Sequence, residues 1–374
     1  MSIFEKRQKR NTNLIVETKS GTSTGILTLL ENTVFGTKGK VRYHQKNIGE
    51  RIEAQKNIEF IQIKKRDQVL GTTGVVTRST TGIKDNFKSL FIRYLSVNNP
   101  FRKHEKKRTP HSQFRNIKAN SSLKTLIGKE ITDHFEQPII EAKDKAAFYA
   151  FVESENFNSK ELCINLGFYP ARKVSTILFS RFYPKKEPPV SEIEDFEKEE
   201  VSKHLSFFYQ NHSFYFEDRL FESGTYYVLK RDGKIVAGIR CRPVNWEIVE
   251  VPGFSGFLMQ RVLPYLPLTN KLFNPKNLNF LAFDYAWCLQ DDEELILTLM
   301  NHACSVNGIH LGMFWGDTES TLVDDLKKSN RLGFLYKLNG EVNAEVMLRF
   351  INLNEAEQSE LLKKPVFVSA LDMT

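Results

Sequence analysis

The stretch Phe60-Ile-Gln-Ile-Lys-Lys-Arg-Asp-Gln-Val-Leu-Gly71 reads as strand, turn, strand, with the turn at Arg66-Asp67. The stretch Tyr227-Val-Leu-Lys-Arg-Asp-Gly-Lys-Ile-Val-Ala-Gly238 has the same layout, and Arg66 and Arg231 stand 165 residues apart. Downstream, Leu166-Gly-Phe168 recurs as Leu332-Gly-Phe334 at an offset of 166. Each is followed by a strand with a similar end, Leu178-Phe-Ser-Arg-Phe182 and Met347-Leu-Arg-Phe350. Two matches at one long offset predict duplicated domains, not a solenoid of short repeats.

Working outward from the first copy, residues 25–33 read as a short helix and 58–65 with 68–78 as the hairpin. Residues 88–97 read as a third strand, 121–134 as a helix with Asn120-Ser121 as its cap, and 147–153 as a strand. A helix over 159–166 follows, with Gly167 placed for a left-handed cap, then a strand over 173–182. Strands first, then helix and strand in alternation, predict a mixed α/β (α+β) fold. The expectation is two tandem domains, 1–185 and 190–374, each a mixed twisted sheet flanked by helices. Pro184-Lys-Lys-Glu-Pro-Pro-Val-Ser191 reads as the linker, because three prolines deny it helix and ladder hydrogen bonds. A charged helix over 192–204 is expected to open the second half.

At 374 residues the chain exceeds what one core comfortably fills, and its 41% hydrophobic content is ordinary for a globular protein. Nothing approaches the roughly 18 apolar residues of a membrane helix, and the basic start Met1–Arg10 lacks the apolar stretch of a signal peptide. Cys163, Cys241, Cys288 and Cys304 are scattered and form no CxxC pair, which argues against a zinc site or disulfide framework and fits a reduced cytoplasm. Charge is unevenly spread. Residues 1–185 hold 34 Lys and Arg against 17 Asp and Glu, leaving 19 against 28 of the totals 53 and 45. Such asymmetry suits an anionic ligand on the first half, or attraction between the halves.

A spaced pattern marks the first copy: Phe151-Val-Glu-Ser-Glu-Asn156, then Ser159, Leu162 and Gly167-Phe168. It resembles the fifth strand and fourth helix of the GNAT N-acetyltransferase superfamily. Arg93-Tyr-Leu-Ser-Val-Asn-Asn-Pro-Phe-Arg102 is similar to that family's fourth strand running into its pyrophosphate loop. The resemblance spans most of residues 12–183 and, through the repeat, extends more loosely over 192–352. It implies an acyl-CoA-dependent N-acyltransferase, with acetyl-CoA or another acyl-CoA as substrate and a small-molecule or peptide amine as acceptor. It further implies that backbone groups of Leu95, Ser96 and Val97 pair with the pantetheine arm as a pseudo-strand. The pyrophosphate would meet Arg102, Lys103 and the helix start at Ser121 and Ser122. Asn156, with Ser159 beside it, would flank the adenylate arm or simply cap the next helix.

The chain departs from the family pattern in instructive places. After Arg102 there is no glycine before Gly128, so backbone cannot approach phosphate as closely as in the family loop. Eight basic residues between Asn98 and Lys124 offer side-chain phosphate contacts instead, or a solvated basic loop. The family's Tyr, which protonates the departing thiolate, is replaced by Cys163, read either as the acid or as packing. Glu153 lies near the expected cleft as a candidate base. The second copy places four acids, Asp291-Asp-Glu-Glu294, where a pyrophosphate would sit, so it is expected not to bind CoA in the ordinary way. Asp284, Trp287 and Trp315 are candidates to line an acceptor pocket. The alternatives are a catalytically degenerate GNAT-fold binding or regulatory module and a nucleic-acid binder. Nucleic acid is disfavoured by the thin aromatic interleaving, Phe101 and Phe114, in the basic stretch.

Overall fold

The computed structural model describes residues 14–83, 86–97, 123–267, 269–289, 292–339 and 342–374. The first half contributes β1 (Leu14–Ser20), β2 (Arg42–Gln45), β3 (Ile58–Lys65), β4 (Gln68–Thr80), β5 (Phe87–Val97), β6 (Ala146–Glu153) and β7 (Tyr169–Ser180). The second contributes β8 (Val190–Glu192), β9 (Thr225–Arg231), β10 (Lys234–Glu250), β11 (Leu278–Cys288), β12 (Leu311–Asp317) and β13 (Val342–Ile351). The two hairpins that define the repeat form as expected, with Arg66 and Asp232 both left-handed in their turns at φ 56° and 50°. Gly167 and Gly333 match in the same way, at φ 80° and 102° after the helices Phe157–Asn165 and Thr321–Lys328.

Among the described residues all strands belong to one sheet of 13 strands, ordered β1-β3-β4-β5-β6-β13-β7-β12-β11-β10-β9-β8, with β2 added to β10. The halves exchange their last strands. β13 inserts between β6 and β7, antiparallel to both, and β7 in turn pairs with β12. Each half therefore completes its central sheet with a strand of the other. Strand alternation reports which face a residue takes and not which strand lies next to it, so this exchange is invisible to periodicity.

Three details differ from expectation. The helix expected to end at 134 runs on: residues 123–130 are helical, Ile131–Glu136 is a π-turn, and Gln137–Ala142 continues the axis. Pro138 is tolerated because it sits in the first turn of that last piece. The linker does reach a ladder, since β8 begins directly after Pro189 and pairs Val190 with Leu229 at the sheet edge. The helix expected over 192–204 is displaced to Lys198–Phe208, behind a short turn at Asp195–Glu197.

The core lies on both faces of the sheet. On one face Leu123, Ile127, Ile131, Phe135 and Ile139 cover β3 to β6. On the other, Phe91 and Tyr149 of the first half share a continuous cluster with Phe280 and Trp315 of the second. Each such buried side chain contributes about 1.5–3 kcal/mol, so the halves are held by packing as well as by the ladder.

Candidate active site

The site begins with a defect in a strand. β5 runs parallel to β6 only from Lys88↔Ala146 to Phe91↔Tyr149. Beyond it, the β4 register shifts between Thr72↔Ser96 and Gly74↔Arg93, and Tyr94 takes φ 55°. A bulge of this kind bends its strand and ends pairing. The edges of β5 and β6 then diverge, and between them opens a cavity of about 380 Å³.

The walls come from both halves. β5 supplies Arg93, Tyr94 and Leu95, β6 supplies Phe151 and Glu153, and the second half supplies Trp246, Met313, Trp315 and Asn343. Phe35, Gly36, Val41 and Tyr43 cover one side. Their segment is tied across the molecule, because β2 pairs Tyr43 with Ile248 and Gln45 with Trp246. The Tyr43 and Trp246 rings stack at 3.9 Å and 13°. The lining is mainly apolar with a few converging polar groups, the usual character of a small-molecule site.

Of the residues singled out above, Leu95, Glu153, Asn156, Ser159 and Cys163 converge on this cavity. Ser96 and Val97 continue β5 opposite Thr72 and Gly71, and Ser96 Oγ meets Thr33 Oγ1 at 2.5 Å. Arg102, Lys103, Ser121 and Ser122 lie outside the described residues. Asn156 Oδ1 accepts the Ser159 N–H at 3.1 Å, so its side chain caps the helix Phe157–Asn165. Glu153 Oε2 accepts the Thr37 N–H at 2.9 Å and the Thr37 hydroxyl as well. Next to it, Lys40 pairs with Glu155 at 2.7 Å. Burial pushes the Cys163 thiol up to about 11, so it keeps its proton at neutral pH.

The second copy carries the same bulge. Between Gly238↔Trp287 and Arg240↔Asp284 the register shifts, and Tyr285 takes φ 47°. Here the chain itself fills the notch. Asp284 accepts both Arg240 Nε and Nη2, at 2.8 and 2.7 Å, together with Ser369 Oγ and the Ala370 N–H. Phe367 packs among Tyr209, Tyr215, Phe216 and Tyr285 at centroid distances of 5.0, 5.1, 5.5 and 4.9 Å. Asp317 accepts the Val366 N–H at 2.9 Å. The expected grouping of Asp284, Trp287 and Trp315 therefore separates. Trp315 faces the open cavity, whereas Asp284 anchors the plug and Trp287 donates to Tyr226 Oη at 2.9 Å.

The plugging segment continues to the open cavity, where Asp372 and Met373 form part of the lining. Arg78 clasps Asp372 with two hydrogen bonds of 2.6 and 2.7 Å, and Arg93 donates to the main-chain oxygens of Leu371 and Thr374. Sequence reasoning missed Tyr43, Tyr94 and Trp246. Tyr94 could have been found as the residue matching Tyr285 at the same point of the duplicated strand. Tyr43 and Trp246 carry no such signal, since only the β2–β10 pairing brings them together.

No family model matches the sequence, and no curated protein matches it. Among solved structures, N-myristoyltransferase of Saccharomyces cerevisiae with bound myristoyl-CoA matches with a TM-score of 0.58 at 11% identity, over 96% of this chain and 85% of that one. The same enzyme with myristoyl-CoA and inhibitors gives 0.56 at 12%, over 94% and 85%. A GCN5-related N-acetyltransferase from Anabaena variabilis gives 0.45 at 10%, over 90% and 72%. At these identities the likeness is one of fold: the chain shares the fold of the N-myristoyltransferase structures. Among the described residues no helix is long and apolar enough to cross a membrane.

Proposed function

We propose that the protein is an acyl-CoA-dependent N-acyltransferase whose cofactor lies in the first half. The observation that carries this reading is the divergence of β5 from β6 past Phe91 and Tyr149, which opens the cavity beside the Tyr94 bulge. A pantetheine arm laid along residues 94–97 would pair with that free edge as an added strand. The thioester would then reach the apolar part of the cavity near Phe91, Leu178 and Trp315. A two-carbon acetyl group fills little of about 380 Å³, so a longer acyl chain fits as well. The structural neighbour bound to myristoyl-CoA supports testing long donors alongside acetyl-CoA.

In the transfer, the amine nitrogen attacks the thioester carbon, the carbon–sulfur bond breaks, and the amine proton leaves. Glu153 is the carboxylate placed to take that proton, held in orientation by Thr37. Cys163 borders the same cavity and can offer a proton to the departing thiolate. With its thiol at about 11, against roughly 8.5 for an ordinary thiol, that transfer runs uphill and solvent must complete it. The filled second notch is the reason for assigning one cofactor site per chain.

Calorimetric titration of acetyl-CoA and longer acyl-CoAs into the intact protein tests this, followed by amine-dependent release of free CoA. One site per chain with amine-dependent release is the expected result. Absence of binding by every donor overturns the reading and returns the scaffold to a non-catalytic binding role.

A further inference from the structure

Residues 251–280 depart from the half that contains them. They hold Arg261, Lys271 and Lys276 and no Asp or Glu, whereas the half as a whole has 19 basic residues against 28 acidic. β10 ends at Glu250, and the chain then folds into the helix Gly253–Arg261, the turn Leu263–Tyr265 and a further turn Thr269–Lys271. Its inner side is fixed by packing. Met259, Leu263, Leu272 and Phe273 are buried in the cluster that also holds Trp246 and Trp315 of the cavity wall. A Cβ on Gly256 would meet the Val251 main-chain oxygen at 2.0 Å, so the helix lies directly against the main chain just past β10.

The outer side is apolar and basic together. Phe257 is 59% exposed, Tyr265 79% and Leu266 48%. Phe257, Arg261 and Tyr265 recur at every fourth position and face outward, whereas Met259 and Leu263 turn inward. Lys271 and Lys276 are exposed as well. Among the described residues none of the three cations has a carboxylate partner. The preceding acids along the chain, Glu247 and Glu250, face Lys46 at 4.0 Å and Arg42 at 3.2 Å. Grouped large apolar side chains on a surface mark a place of contact.

We infer that residues 253–276 dock on an anionic lipid surface. Phe257, Tyr265 and Leu266 enter the headgroup boundary, and Arg261, Lys271 and Lys276 meet lipid phosphates. The single sign of charge decides the partner. An anionic leaflet presents one sign over its whole area and attracts every nearby Lys or Arg. Aromatic and leucine side chains beside cations are the usual composition of a segment lying in that boundary, and lying there needs no spanning helix. The inference goes beyond the transferase reading and does not depend on it.

Flotation of the full chain tests it with two vesicle preparations, phosphatidylcholine alone and phosphatidylcholine mixed equally with phosphatidylglycerol. The chain should float with the mixed vesicles and bind the neutral ones at least tenfold more weakly. It should come off in about 1 M sodium chloride, where the screening length falls to roughly 3 Å. Arg261→Glu with Lys271→Glu, and separately Phe257→Ser with Tyr265→Ser, should each weaken binding to mixed vesicles at least tenfold. All four side chains are exposed, so the urea midpoints of both variants should match the wild type. Eight cations between Asn98 and Lys124 offer a rival source of vesicle binding. Binding that survives both patch variants assigns it to them and overturns the inference. Absence of flotation, or equal binding to both vesicles, overturns it too. A wild type that sediments as a dimer, with a monomeric Phe257→Ser, Tyr265→Ser variant, would mean that a second copy covers the patch instead. Acyl-CoA titration of the lipid-free protein is read separately, so its failure sinks the transferase without touching this surface.

Discussion

Tyr94 and Tyr285 occupy the same place in the two copies, each at positive φ, 55° and 47°, at the bulge of the long strand beside a parallel neighbour. A non-glycine residue in the left-handed region costs of order 1 kcal/mol or more, so its retention twice points to a geometry the fold requires. The two bulges lead to different surroundings. After Tyr94 the strands enclose an open cavity; after Tyr285 the same opening is packed by Phe367. One duplicated device borders an open cavity and the other an internal joint.

Phe367 is the test of that joint. Its ring contacts four aromatic neighbours and is 4% exposed. Phe367→Ala should cost about 3–5 kcal/mol in urea unfolding, as expected for a large cavity in a core. Calorimetry on the variant should still give one acyl-CoA per chain. A loss below about 1 kcal/mol would mean that the notch is not sealed by packing.

The Arg78–Asp372 pair ties the plugging segment to the first half, with both side chains almost fully buried. Asp372→Ala leaves Arg78 charged and unpaired, and should destabilise by about 3–5 kcal/mol. The double change Arg78→Met with Asp372→Leu should recover most of that loss. Chemical denaturation of the three variants measures the difference, and a double variant no better than the single would show that the pair's value lies in its geometry.

Glu153→Gln keeps the shape of the side chain and its contact with Thr37 while removing the base. It should lower kcat by roughly 10²-fold or more and leave acyl-CoA affinity unchanged. Cys163→Ala should lower kcat by less than about tenfold, since a thiol at about 11 is a poor acid. Steady-state CoA release with single-turnover controls reads both. A Cys163 effect exceeding that of Glu153 would reverse their assigned weights.

Much of the fold was legible because its signals are local. Alternation with a two-residue turn placed the hairpin at Arg66-Asp67, the capping pattern placed Asn156, and the recurrence of Leu166-Gly-Phe168 at Leu332 exposed the duplication. The exchange of β7 and β13 was not legible, because a strand's sequence records burial and not the identity of its neighbour. Half the candidate site was readable for the same reason. Leu95, Glu153, Asn156 and Cys163 all sit on elements of one copy, between residues 87 and 165. Tyr43 and Trp246 reach the cavity that Tyr94 borders only through the cross-pairing of β2 with β10, which no short-range pattern encodes.

His212 gives the pH dependence a definite sign. It packs against Phe208 and Tyr209 beside the filled notch, and burial lowers its pKa to about 4, with Asp317 raising it and Arg172 lowering it. Unfolded, the same group titrates near 6.5. Between these values the unfolded chain binds more protons than the folded one, so stability falls as pH drops from about 6.5 to about 4 and is unaffected by this group above that window. The loss amounts to at most about 3 kcal/mol. Other carboxylates also titrate at the lower end, so the readout is the difference between wild type and His212→Leu in urea midpoints at pH 7, 5.5 and 4.5. The variant should show the flatter curve, because the imidazole Nδ1, unpartnered in the wild type, is no longer there to be desolvated. Parallel curves would mean that the imidazole reaches water and the notch around Phe367 breathes.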